Sequence, residues 1–251
     1  MRRALSLLIA AAACGGSPKP PPADPTPPPD AAAPVDHADD GEDDDLEVVS
    51  TVGKFDPDEA ARSFQPHAAA LNACYTDRLD RRRWLGGTVE LTWTVTQEGG
   101  NESVRISKSD LGAWPIEQCL LQVAQAVAFG KPHGHGKAHL TFPVSFAGGS
   151  GALPWDDDQA VRAVGGKPKE LAACAKVAGA EPQNVTITIY VGTRGKVQSV
   201  GFASPSDLPP AWADCAAGKI GAWMLTDPRG KVAKLAYLYN PVATDDDDSE
   251  D

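Results

Sequence analysis

Three imidazoles fall within seven residues at His133-Gly134-His135-Gly136-Lys137-Ala138-His139, and they are the group in this chain with ligand character. Zinc or copper needs a fixed geometry and usually a carboxylate or thiolate beside the imidazoles. None adjoins this run. A solvated loop is therefore the first reading, and a metal held by His133, His135 and His139 the alternative. The five cysteines, Cys14, Cys74, Cys119, Cys174 and Cys215, include no pair three positions apart, so neither a thioredoxin-like redox centre nor a zinc knuckle is supported. Gly148-Gly149-Ser150-Gly151 is followed by Ala152 where a nucleophile elbow needs its last glycine. Asp36, Asp40, Gly41 and Glu47 partly match a calcium loop, but Ala38 holds a ligand position and Asp43 the place of a packing residue. Arg78, Arg81, Arg82 and Arg83 have the charge for an anion site, yet they fall at a predicted helix end, where cations favour the dipole. Phosphate-loop and dinucleotide fingerprints are absent. No catalytic residue is assigned, no cofactor is implied, and the chain is expected not to be an enzyme.

The 251 residues carry 34 Asp+Glu against 23 Lys+Arg, a net charge of −11. A phosphate-backbone binder needs a basic field to release counterions, so nucleic acid is an unexpected partner. The acid is unevenly placed. Residues 15–50 hold ten Asp/Glu and residues 245–251 hold six, while residues 51–244 hold 18 acids and 20 bases. The folded part is close to neutral, and the tails are expected to be solvated and disordered.

Met1-Arg2-Arg3 followed by Ala4 to Ala13 is a basic n-region and an apolar stretch too short to span a bilayer, as in a signal peptide over residues 1–13. The run stops at Cys14-Gly15-Gly16-Ser17, which resembles a bacterial lipobox, with Ala11 where such boxes usually carry Leu. A diacylated Cys14 would tether the protein to a membrane; signal-peptidase cleavage after Ala13 is the alternative. Residues 14–53 then read as anchor and linker. Pro18 to Pro29 favours extended polyproline II and Asp36 to Glu47 is acidic, making a stalk. The expected location is the bacterial cell envelope, lipid-anchored, periplasm-facing or in the outer membrane.

An internal repeat organises the rest. Asp56-Pro57-Asp58-Glu59-Ala60-Ala61-Arg62 recurs as Asp156-Asp157-Asp158-Gln159-Ala160-Val161-Arg162, and Leu71-Asn72-Ala73-Cys74 as Leu171-Ala172-Ala173-Cys174. Val89, Leu91, Trp93 and Val95 correspond to Val185, Ile187, Ile189 and Val191, and Cys119 to Cys215. Asp56 with Glu59 and Asp156 with Gln159 resemble capping boxes. Leu71, Cys74, Tyr75 and Leu79 define the buried stripe of a second helix. Strict alternation over 88–96 predicts a strand with one buried face, Glu98-Gly99-Gly100-Asn101 a turn, and Val104 and Ile106 a return strand. Residues 116–127 are helical in pattern, and Ala138, Leu140, Phe142, Val144 and Phe146 alternate as a last strand. The reading is α+β: two tandem domains of order α-α-β-β-α-β over 54–147 and 155–243, each a three-stranded sheet with helices on one face. Residues 148–154 are a linker, and 244–251 an acidic tail.

One cysteine belongs to the lipobox and two to each copy, at matching positions. In an exported chain this favours Cys74–Cys119 and Cys174–Cys215 bridges, with buried free thiols or crossed pairing as alternatives.

Leu71-Asn72-Ala73-Cys74-Tyr75, Gly87 to Val95, Gly99, Cys119, Phe129-Gly130-Lys131-Pro132 and Leu140-Thr141-Phe142-Pro143-Val144-Ser145-Phe146 resemble the AgmX/PglI C-terminal domain, a TonB-C-terminal-like family of envelope proteins. The likeness spans 66–146 and, more weakly, 168–240. It implies a non-catalytic interaction module that binds an envelope protein or peptide, with a sheet edge accepting an extended segment. Pro143 cannot donate to a ladder, so its strand is expected at an edge. The second copy has Leu238 there and keeps the donor, which makes it the better edge for strand addition. In the competing arrangement the other domain covers that edge.

Overall fold

In the computed structural model, which describes residues 52–148 and 151–241, each half opens on a carboxylate cap. The Asp56 side chain accepts from the N–H groups of Asp58 (2.9 Å) and Glu59 (3.1 Å), satisfying donors that a helix start leaves free. Helix α1 then runs Pro57–Phe64. Asp156 does the same for α4 (Asp157–Val164), where Gln159 completes a full capping box. A single turn of tighter helix links α1 to α2 (Ala68–Thr76), and another links α4 to α5 (Ala172–Ala178).

Alternation becomes sheet as expected. Strand β1 (Gly87–Val95) pairs antiparallel with β2 (Asn101–Ser109) and with β3 (Ala138–Phe146), and α3 (Trp114–Gln125) lies between β2 and β3 in the chain. Val89, Leu91, Trp93 and Val95 are fully buried, each such side chain contributing roughly 1.5–3 kcal/mol. The Trp93 indole N–H, which would be costly unpaired, donates to the Ala124 carbonyl at 2.9 Å. The second half repeats the order with β5 (Val185–Val191), β6 (Val197–Ala203), α6 (Pro210–Gly221) and β7 (Val232–Tyr239). The architecture is α+β, with one sheet in each half. Cys74 bridges Cys119 and Cys174 bridges Cys215, each pair with Cα atoms 5.6 Å apart.

Two details depart from the sequence reading. The first sheet is three-stranded, β2-β1-β3, but the second is four-stranded, β4-β7-β5-β6. Its extra strand β4 (Ala152–Pro154) comes from the stretch read as a linker, and it runs parallel to the start of β7. Three residues are too few for alternation to register. The halves also do not behave as beads on a string, since all described residues belong to one compact unit. Trp114 of the first half sits in the core of the second, and Tyr190 and Ala203 of the second sit in the core of the first.

The signal peptide, Cys14, most of the stalk and the acidic tail lie outside the described residues. Among the described residues no helix is long and apolar enough to cross a membrane.

Candidate partner-binding edge

Four sheet edges exist, and their fates differ. The β2 and β6 edges are turned toward each other. Ser204 N–H donates to the Ile106 carbonyl (2.9 Å), and Phe202 N–H donates to the Glu117 carboxylate (2.8 Å). Glu117 is wholly buried, also accepts from Ser109 Oγ at 2.8 Å, and makes no ion pair among the described residues. Burial pushes its carboxyl up to about 7, against the opposing pull of the Phe202 N–H, Ser109 and the Ala113 and Gly112 amides. Around it, Ser199 Oγ donates to the Gly112 carbonyl (2.7 Å), Tyr190 Oη to the Gly86 carbonyl (3.0 Å) and Trp114 Nε1 to Asp214 (2.7 Å). Gly201 permits this approach, because a Cβ there would lie 2.4 Å from Glu117 Oε1 and 2.5 Å from the Ala113 nitrogen. The first half thus covers the β6 edge, which is not the edge that carries Leu238.

The remaining edges are β3 and the part of β7 that the short β4 leaves uncovered. In β3, Pro143 lies in the ladder with β1 opposite Glu90. Having no N–H, it is tolerated there only with its nitrogen directed off the sheet. In β7, the Lys234 carbonyl accepts from Trp155 N–H at 2.8 Å, so Lys234 points its main chain outward, toward β4. The two-residue repeat of a strand then directs the main-chain groups of Ala236 and Leu238 outward as well. Strand β4 covers β7 only at Val232, Ala233 and Lys234.

A cavity of about 600 Å³ lies beside this uncovered stretch, lined by Asp157, Val161 and Val164 of α4, then Gly165, Pro168, Thr186, Ala236, Tyr237 and Leu238. Val161 and Leu238, both lining this cavity, are 66% and 60% exposed. The Tyr237 hydroxyl is buried and has no hydrogen-bond partner among the described residues. Burial pushes its phenol well above the usual range, with Tyr239 adding to the shift. The first half is packed differently at the corresponding place. Phe64 stands where Val164 does and stacks on Phe142 at 4.6 Å, and Phe142 stacks in turn on Phe129 at 6.1 Å.

The other residues singled out by type are accounted for differently. His133 Nε2 lies 3.4 Å from Glu59, His139 Nδ1 lies 3.2 Å from Thr94 Oγ1, and His135 is exposed. Among the described residues no three His, Cys, Asp or Glu side chains are grouped to hold a metal ion. Arg78 reaches the Cys74 carbonyl at the end of α2 and Arg82 the Arg78 carbonyl, so part of the basic run is engaged with main chain. Glu117 was not anticipated as important. The signal was present, since it lies on the same helical stripe as Ile116, Leu120 and Ala124, where an acid is out of place.

No family model matches the chain, and no curated protein does. A solved structure described as the NMR solution structure of Helicobacter pylori TonB-CTD (residues 194-285) is similar at 17% identity, covering 34% of this chain and 92% of that one, with a TM-score of 0.27. At that score the likeness carries no argument about function.

Proposed function

We propose that this protein is a lipid-anchored cell-envelope protein built from two tandem TonB-C-like modules of the AgmX/PglI kind, and that its second module binds an extended, largely apolar segment of an envelope protein by strand addition at β7. The observation that carries this reading is the pairing of outward-facing main-chain groups at Ala236 and Leu238 with the largely apolar cavity beside them. Main-chain hydrogen bonds supply affinity in such a mode, and pockets for alternate side chains supply selectivity. The first module serves as scaffold. Its edge lacks the donor at Pro143, and Phe64 stands in the place of Val164, stacked on Phe142. The lipid on Cys14 and the Pro/Asp-rich stalk would present the second module to partners at a distance from the membrane.

The test places a photo-crosslinking residue at Val161 of the full-length protein in intact cells, with and without Leu238→Pro. That substitution copies Pro143 of the first module, removing the outward donor while leaving the β5 ladder intact. A discrete partner segment captured by the parent and lost in the variant supports strand addition. Identical capture by both sinks it.

A further inference from the structure

A second cavity, of about 380 Å³, opens on the other side of α4 and is lined by Leu153, Trp155, Gln159, Arg162, Asp227 and Arg229, among others. Arg162 and Arg229 are both exposed, and neither guanidinium has an ion pair or hydrogen bond among the described residues. The half-buried Trp155 brings an indole to the same wall.

The first half shows what this place in the fold accommodates. The corresponding residues are Phe55, Glu59, Arg62 and His133, and there Glu59 points its carboxylate at His133 Nε2, 3.4 Å away. In the second half a guanidinium, that of Arg229, takes the place of the imidazole, while the acid becomes Gln159. Its side-chain oxygen turns instead to the Asp156 N–H at 3.1 Å, closing the helix cap. The α4 carboxylate that faces the basic side chain in the first half is absent from the second, where the Arg229 guanidinium makes no ion pair among the described residues.

The geometry points to a carboxylate-binding pocket formed by Arg162, Arg229 and Trp155, whose ligand is an acidic side chain on an extended peptide of a partner protein. Two guanidinium forks match the planar, two-oxygen geometry of a carboxylate. The indole provides a flat apolar wall for the residue beside it. Asp227 lines the same cavity, its carboxylate accepting from the Arg229 N–H at 2.9 Å, and so opposes a doubly charged phosphate more than a single carboxylate. The volume suits one or two side chains rather than a nucleotide. This pocket does not depend on strand addition at β7, and Leu238→Pro leaves it unchanged.

The experiment measures fluorescence anisotropy of a labelled, end-blocked peptide with one Glu between apolar residues, against the same peptide with Gln, on the full chain. The Glu peptide binds at least about tenfold more tightly, as one charge-assisted pair of about 1.5 kcal/mol requires. Arg162→Gln and Arg229→Gln each remove most of that advantage. Gln159→Glu, which keeps a capping residue at the third helical position and restores the carboxylate of the first half, lowers affinity by a similar factor. All three changes are at exposed positions, and unchanged thermal unfolding verifies folding. Equal binding of the two peptides, insensitivity to Gln159→Glu, or preferential displacement by inorganic phosphate or by vesicles of anionic lipid would each overturn the assignment.

Discussion

Glu117 is where one carboxyl group sets a property of the whole chain. Its acidity is weakened in the folded state relative to an ordinary glutamate, so the fold binds a proton that the unfolded chain releases at lower pH. Its contribution is fully present below about pH 4.5 and is lost as pH rises through about 7, a change of roughly 3 kcal/mol. Urea unfolding between pH 4.5 and 8 should show that slope. Glu117→Gln should flatten it, because the amide oxygen still accepts from Phe202 N–H without ever ionising. Tyr237 poses the complementary case: its buried hydroxyl has no partner among the described residues. Tyr237→Phe is expected to leave stability unchanged or raise it by about 1 kcal/mol in the same assay, since it removes a desolvated polar group and breaks no bond.

At the scale of elements, the apposition of α3 and β6 depends on a missing side chain. Gly201→Ala should cost about 1–3 kcal/mol by overpacking, and loosen the contact of β6 with Glu117. Hydrogen exchange at the Phe202 and Ser204 amides reads this directly, with faster exchange at both expected and unchanged exchange counting against it. In β7 the same reasoning separates ladder from edge. Leu238→Pro should leave the β5–β7 pairing and the circular dichroism spectrum intact, because the lost N–H faces away from β5. Helices, the strands of both hairpins and the faces they bury were legible in the sequence, since periodicity and caps are local signals. Strand β4 was not, for it is three residues long and exists only because β7 offers it a template.

At the scale of the molecule, the two halves share cores rather than a flexible joint, with Trp114 lent one way and Tyr190 the other. Unfolding is therefore expected to be a single transition. Replacing Cys74 and Cys119 by serine, which opens a loop of 45 residues worth about 4 kcal/mol in the chain-entropy model, should lower the stability of both halves together. Two separated transitions in a denaturant titration would contradict this. Cys14→Ser, in turn, should move the protein from the membrane fraction to the soluble fraction of cells, with the mass of two or more acyl chains lost.

What the amino-acid order determined on its own was the repeated α-α-β-β-α-β pattern, the buried faces, the matched cysteines and the difference between Pro143 and Leu238, because each is written in spacings of a few residues. Only the tertiary structure decided which edges stay open, that Glu117 is sealed between the halves, and that Arg162 and Arg229 line one cavity with neither guanidinium ion-paired among the described residues. Those outcomes depend on residues dozens of positions apart being brought within a few ångströms, and hydrophobic periodicity carries no record of which surfaces will meet.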